Sequence, residues 1–308
     1  MITAVASLLV MSGLAAGSAA ERPEILIDDR DVYPESITST RAGAVFTGSI
    51  KGIVFRAGPG EAVAKAWIRP TEANGLQAIF GVLADERSKT LWLCSVPNSF
   101  QAPKPEAITS LMAFDLSSGK QKGVYPFPAG RSVCNDMTVA RDGSVYAADT
   151  ANGRILKLTR RAKELTLFGQ DDRLKGIDGI AFGGDGTLYV NIVTRGALMR
   201  VGLSPEGTMG ALTELKLSEP VGGPDGMRLI EGKRFLLAEG TAGRIDVVTI
   251  EGDAATIRVL KSGLTSSPGV TLVGHTAYAI EGKIRYLFDP RLKGQDPGPF
   301  KAQAIPLE

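Results

Sequence analysis

CNDMTVARDGSVYAADTANGRILKL, Cys134 to Leu158, is the stretch whose reading decides the fold. A polar opening, Asn135-Asp136, leads into a short apolar run and an Asp142-Gly143 pair. An alternating run from Ser144 to Ala148 follows, then an Asn152-Gly153 pair and a third run from Arg154. Alternating residues punctuated by Asx-Gly pairs predict antiparallel strands joined by tight turns. The pattern returns downstream. In GIDGIAFGGDGTLYVNIVTRGALMRV, Asp178 stands in register with Asn135, Asp185-Gly186 with the first turn, Tyr189 with Tyr146 and Gly196 with Gly153. In GPDGMRLIEGKRFLLAEGTAGRIDVV, Asp225 takes the opening place and Gly243 the second turn, so the three openings are spaced by 43 and 47 residues.

Repeats of about 40 to 50 residues with several short strands each are the mark of propeller blades, none of which can bury its faces alone. Three weaker copies open on Glu35 (PESITSTRAGAVFTGSIKGIVFR), Phe80 (IFGVLADERSKTLWLC) and Pro268 (SPGVTLVGHTAYAIEGKIRYLF). The expected fold is therefore all-β, a six-bladed β-propeller forming a single domain over 21–308. The runs Glu24 to Asp28 and Phe300 to Leu307 read as extended segments without partners of their own. A ring of sheets leaves no edge unpaired only if it closes, so strands from both termini are expected to complete the last blade.

Residues 1–20 carry no charged side chain, contain an apolar run from Ala4 to Val10 and end in Ser18-Ala19-Ala20. They read as a signal peptide, which makes the protein exported, periplasmic or secreted, and free of the membrane once the leader is cleaved. The net charge of +2 points to no polyanionic partner, and the one basic run, Arg160-Arg161-Ala162-Lys163, falls where a blade's outer hairpin turns. Nucleic acid is not expected as a partner. Cys94 and Cys134 lie in neighbouring blades, where they can pair in an oxidising compartment or serve as small buried apolar groups; the sequence leaves both open. Their number excludes a cysteine zinc site.

The opening residues of the inner strands would converge on one mouth of the central channel as a ring: Glu35, Phe80, Asn135, Asp178, Asp225, Pro268. Four are oxygen donors, three of them carboxylates that repel one another unless a cation neutralises them. A divalent ion held by Glu35, Asn135, Asp178 and Asp225 is expected. An all-oxygen set favours Ca2+, with Mn2+, Mg2+ or Zn2+ as substitutes. The competing reading makes the Asn-Asp and Asp-Gly pairs ordinary inter-blade turns. Strand parity carries Asp149 and Glu239 to the same face as candidate substrate-binding residues, beside a proline-rich loop between Val96 and Ser110.

PES at the first copy, CND at the third, DG at the fourth and GPDGM at the fifth resemble the motifs of the senescence marker protein/gluconolactonase family, the regucalcin-like six-bladed propellers. That resemblance implies a channel cation on Glu35, Asn135, Asp178 and Asp225, and hydrolysis of a lactone. Two departures stand out. Asp178 occupies a place where relatives usually carry Asn, and Val133 a place where sugar-lactone members commonly carry Arg, with Arg131 out of register. A less polar lactone or ester is then the expected small-molecule substrate, with Asp225 as catalytic general base. A paraoxonase-type histidine pair is impossible, because His275 is the only histidine. A non-catalytic propeller that binds a small ligand or a protein is the alternative function.

Overall fold

The computed structural model describes residues 22–97, 108–128 and 130–307. The expected leader and most of the proline-rich loop lie outside the described residues. Strand β1 (Ile25–Ile27) precedes the first repeat, β2 (Pro34–Ser39), β3 (Val45–Ser49), β4 (Val54–Ala57) and β5 (Val63–Ile68). The second is β6 (Ala78–Asp85), β7 (Thr90–Val96), β8 (Ser110–Asp115) and β9 (Gln121–Pro126). The third is β10 (Cys134–Val139), β11 (Val145–Asp149), β12 (Arg154–Leu158) and β13 (Thr166–Gln170). The fourth is β14 (Ile177–Phe182), β15 (Leu188–Ile192), β16 (Ala197–Leu203) and β17 (Met209–Glu214). After β18 (Lys216–Leu217) come β19 (Pro224–Glu231), β20 (Arg234–Glu239), β21 (Arg244–Glu251) and β22 (Ala254–Lys261). The chain ends with β23 (Gly269–Val273), β24 (Thr276–Ile280), a single turn of helix α1 (Arg285–Phe288) and β25 (Lys301–Pro306).

The protein is thus nearly all β. The complete repeats contain four strands where the sequence showed three, because the outer strands carry little pattern: β9 and β13 are largely exposed. The predicted turns form as read. Gly143 has φ +86° and Gly186 +85°, and the preceding Asp142 and Asp185 accept from the N–H of Ser144 (2.8 Å) and Thr187 (2.9 Å). Such Asx-turns fix the hairpin register.

The repeated tyrosine explains how one sheet holds the next. Tyr146 of β11 meets Phe182 of the following repeat edge-on at 5.2 Å, and Tyr189 of β15 meets Phe235 of β20 at 5.4 Å. Each aromatic closes an inter-sheet core of Leu, Ile and Val. Such pairs add about 0.5–1.5 kcal/mol beyond area burial. The inner strands pack side by side, β2 on β6, β6 on β10, β10 on β14, β14 on β19, β19 on β23, and β23 returns to β2. At the chain ends, β1 pairs antiparallel with β25 (Ile25 with Ala302) and parallel with β5 (Leu26 with Val63).

Candidate metal centre and substrate pocket

Every inner strand but β23 departs from regular pairing at its opening residue. The register shifts between Pro34 and Ser36, Ile79 and Gly81, Cys134 and Met137, Ile177 and Ile180, and Pro224 and Met227. A β-bulge re-aims the side chain it contains. Glu35, Phe80, Asn135, Asp178 and Asp225 are those side chains. The glycines that follow do not serve turns, as the competing reading had it. A Cβ on Gly179 would collide with the carbonyl oxygen of Asp225, and one on Gly81 with that of Asn135. Their absence of a side chain lets neighbouring bulges approach until the ring residues meet.

The four donors stand in one electrostatic cluster. Asn135 Nδ2 donates to Asp178 Oδ2 at 2.8 Å, and the Asp178 and Asp225 carboxyls share a hydrogen bond. Burial, then the charges of Asp136 and Glu35, pushes the Asp178 carboxyl well above the usual range. Burial, then Asp178, Glu35 and Asp136, does the same to Asp225. Burial alone pushes Glu35 up to about 7, and its Oε2 is buried without a hydrogen-bond partner. Among the described residues no group of three or more His, Cys, Asp or Glu side chains is close enough together to hold a metal ion as it stands. The donor set nevertheless fits a hard cation: an orphaned carboxylate oxygen, two mutually repelling carboxylates and one neutral amide oxygen are what such an ion satisfies. Phe80 turns into the apolar core, and Pro268 contributes its carbonyl to Gly226 N–H at 3.0 Å.

Asp149 and Glu239 are placed otherwise than expected. Both are fully buried. Asp149 accepts from Arg154 Nε (2.8 Å), Asn152 Nδ2 (3.0 Å) and Val133 N–H (3.0 Å). Glu239 accepts from Arg244 Nε at 2.5 Å and from Gly222 N–H. Strand parity does bring them to this end of the sheets, but each carboxylate is spent on an arginine five residues later and on the loop entering its repeat. They hold those loops in place and have no surface to offer a substrate, which corrects the expectation. The cysteines, left open by the sequence, are joined: Cys94 of β7 and Cys134 of β10 form a disulfide with Cα atoms 5.2 Å apart, directly before Asn135.

Arg228 went unread. From β19 it reaches across the channel to Asp136 of β10, Nη1 to Oδ2 at 2.6 Å and Nη2 to Oδ1 at 3.1 Å, and donates also to the Val82 carbonyl of β6 at 3.3 Å. This two-toothed pair, 13 % and 5 % exposed, spans the channel just inside the ring. Its hydrogen bonds to carboxylate go to Asp136, and its charge also offsets part of the rise at Asp178, after burial, Asp136 and Glu35. Beside Asp225 opens a cavity of about 520 Å³ whose wall includes Thr241, Leu264, Ile284, Arg285 and Phe288. Thr241 sits in the β20–β21 turn that the repeat marks, while Leu264 comes from the loop before β23 and Ile284, Arg285 and Phe288 from the start and body of α1, which no repeat pattern marks.

Many solved structures share this architecture. A gluconolactonase from Xanthomonas campestris superimposes with a TM-score of 0.66 at 15% identity, over 94% of this chain and 95–98% of the neighbour being matched in this group, 98% in its own case. A calcium-binding protein, regucalcin, from Agrobacterium tumefaciens follows at a TM-score of 0.63 and 15% identity, covering 94% of this chain and 96% of that one. The chain shares their propeller-type fold. It is similar also to virginiamycin B lyase from Staphylococcus aureus, with a TM-score of 0.59, 16% identity and coverage of 92% and 98%. No protein-family model matches the sequence, and neither does any curated protein.

Proposed function

We propose that this chain is a divalent-metal-dependent hydrolase of a lactone or related ester, built as a six-bladed propeller whose last blade takes strands from both termini. The observation that carries the reading is the cluster of Asp178, which is buried, with half-buried Glu35, Asp225 and Asn135, whose mutual repulsion Arg228 offsets only in part. Glu35, Asn135, Asp178 and Asp225 would hold the ion, calcium being the best match to four oxygen donors that include a neutral amide. Bound there, such an ion would polarise the ester carbonyl and offset charge building on its oxygen. No serine or cysteine nucleophile is then needed.

The chain's own residues supply the rest. The cavity beside Asp225 seats the ester with its apolar part against Leu264, Ile284 and Phe288. Asp225, which borders both ring and cavity, takes a proton from the attacking water as the new C–O bond forms. The ring C–O bond then breaks, and the leaving alkoxide recovers that proton, giving the hydroxy acid. The wall is mixed, with Thr241, Thr265, Ser266 and Arg285 beside the apolar side chains, so the preference for a less polar ester rests on Val133 standing where sugar-lactone relatives carry Arg. The disulfide supports an oxidising, exported setting, where such bonds persist.

Assay of aldonolactones, aliphatic lactones and aryl esters with calcium, manganese, magnesium and zinc tests the proposal. Turnover dependent on a divalent ion and favouring the less polar substrates is expected. A metal-loaded protein that turns over none of them would instead be the non-catalytic ligand-binding propeller.

A further inference from the structure

We propose a second ligand site at the opposite mouth of the channel, one that takes a small anionic amphiphile: a carboxylate, sulfonate or phosphate head on an apolar body. A cavity of about 700 Å³ opens there, where the inner strands end, within the size range of small-molecule sites. Arg228, paired with Asp136, is among its lining residues.

Three arginines border it in repeat register. Arg41, Arg87 and Arg141 each stand two residues before the positive-φ residue of the first hairpin turn, Gly43, Lys89 and Gly143 respectively. The equivalent place in the fourth repeat is Gly184. Arg87 Nη2 donates to the Arg141 carbonyl at 2.5 Å, and Arg141 Nη2 to the Gly184 carbonyl, so successive guanidiniums are lashed around the rim by backbone. Among the described residues none of the three forms an ion pair. The neighbouring carboxylates, Asp142 of the cavity wall included, are turned to backbone instead of to these guanidiniums: Glu86 accepts from Arg41 N–H at 2.8 Å, Asp142 from Ser144 N–H at 2.8 Å and Asp85 from Arg87 N–H at 3.1 Å. At the inner end, Arg228 Nε is buried without a partner.

Between the cationic rim and that inner end the wall is apolar. Leu203 is 60% exposed and Leu229 38%, and Phe182 lies beside them. Guanidiniums with unspent N–H groups favour a planar anionic head, while large exposed side chains gain by covering an apolar body. A bare anion would leave the leucines wet, and a neutral apolar molecule would leave the arginines unused.

The probe is 1-anilinonaphthalene-8-sulfonate, titrated by fluorescence into the folded full-length protein, with the uncharged N-phenyl-1-naphthylamine and inorganic sulfate as comparisons. One sulfonate dye should bind per chain, with the neutral analogue and sulfate each weaker by about tenfold or more, the scale of one charge-assisted contact set. Arg41→Gln, which breaks no rim bond, and the double variant Arg87→Gln/Arg141→Gln should weaken the dye about three- to tenfold at an unchanged melting temperature. Asp225→Asn should not alter it. Absence of binding, equal affinity for the neutral analogue or for sulfate, indifference to the arginine variants, or loss in Asp225→Asn would each overturn the proposal.

Discussion

Arg228→Met would leave Asp136 buried beside Glu35, Asp178 and Asp225 without its counter-ion. Removing one partner of a buried pair costs about 3–5 kcal/mol, most of it for the stranded charge. A urea denaturation midpoint should fall accordingly, and the double variant Asp136→Asn/Arg228→Met should recover most of the loss; a double variant as unstable as the single one would show that Arg228 acts through its backbone bonds instead. Both residues were legible as exceptions. Asp136 stands where other repeats place Gly179 and Gly226, and Arg228 where they place Thr138 and Ala181. Two breaks in a repeat that cancel each other's charge are a contact signal, but reading it requires knowing that the third and fifth strands face across a channel. At the ring itself, Asp225→Asn keeps one oxygen donor and removes the base, so turnover at saturating metal should drop about a hundredfold or more. Asp178→Asn removes only ligand charge and should stay within about tenfold of wild type while loosening the ion. Equal losses in the two variants would demote Asp225 to a ligand alone.

At the scale of elements, the bulges matter more than the turns. The opening residues were found in the sequence by register, yet their glycine neighbours read there as turn formers, because a bulge and a turn use the same Asp-Gly letters. What separates them is the close approach of the next strand's carbonyl, a tertiary fact. Asp149 and Glu239 show the converse: parity carried them to the correct end of β11 and β20, but parity cannot tell a side chain facing solvent from one turned into the sheet toward Arg154 or Arg244. The hairpin of β20 and β21 holds a further buried acid, Asp246, whose two oxygens lack hydrogen-bond acceptance and lie 3.5 Å or more from Arg244 Nε. Burial, then the adjacent Glu239, pushes Asp246 up to about 8. Because the folded state holds this proton and the unfolded chain releases it near pH 4, stability falls as pH rises between about 4 and 8. Asp246→Asn should flatten that slope, raising the melting temperature at pH 8.5 and changing it little at pH 4. A parallel shift at both pH values would count against a titrating Asp246.

For the whole molecule, the repeat predicted antiparallel sheets packed side by side, and the two terminal runs read as extended form β1 and β25, which pair with each other. The outer strands and α1 were beyond reach, since exposed edge strands need no apolar period and a single helical turn has none. If the proposed ion binds folded protein alone, calcium at a hundred times its dissociation constant adds about 2.7 kcal/mol of stability. The melting temperature should rise by a few degrees with calcium and return with chelator; a curve indifferent to both would argue against a shared site among Glu35, Asn135, Asp178 and Asp225.

The Arg228–Asp136 bridge has a kinetic consequence for such an ion. With that bridge on the far side, the open approach to the ring runs past Asp225 and the cavity walled by Leu264, Ile284 and Phe288. An occupied protein should surrender its calcium to a chelator more slowly than an empty one, even where the occupant never touches the metal, and cutting the bridge should open a second exit and erase the difference.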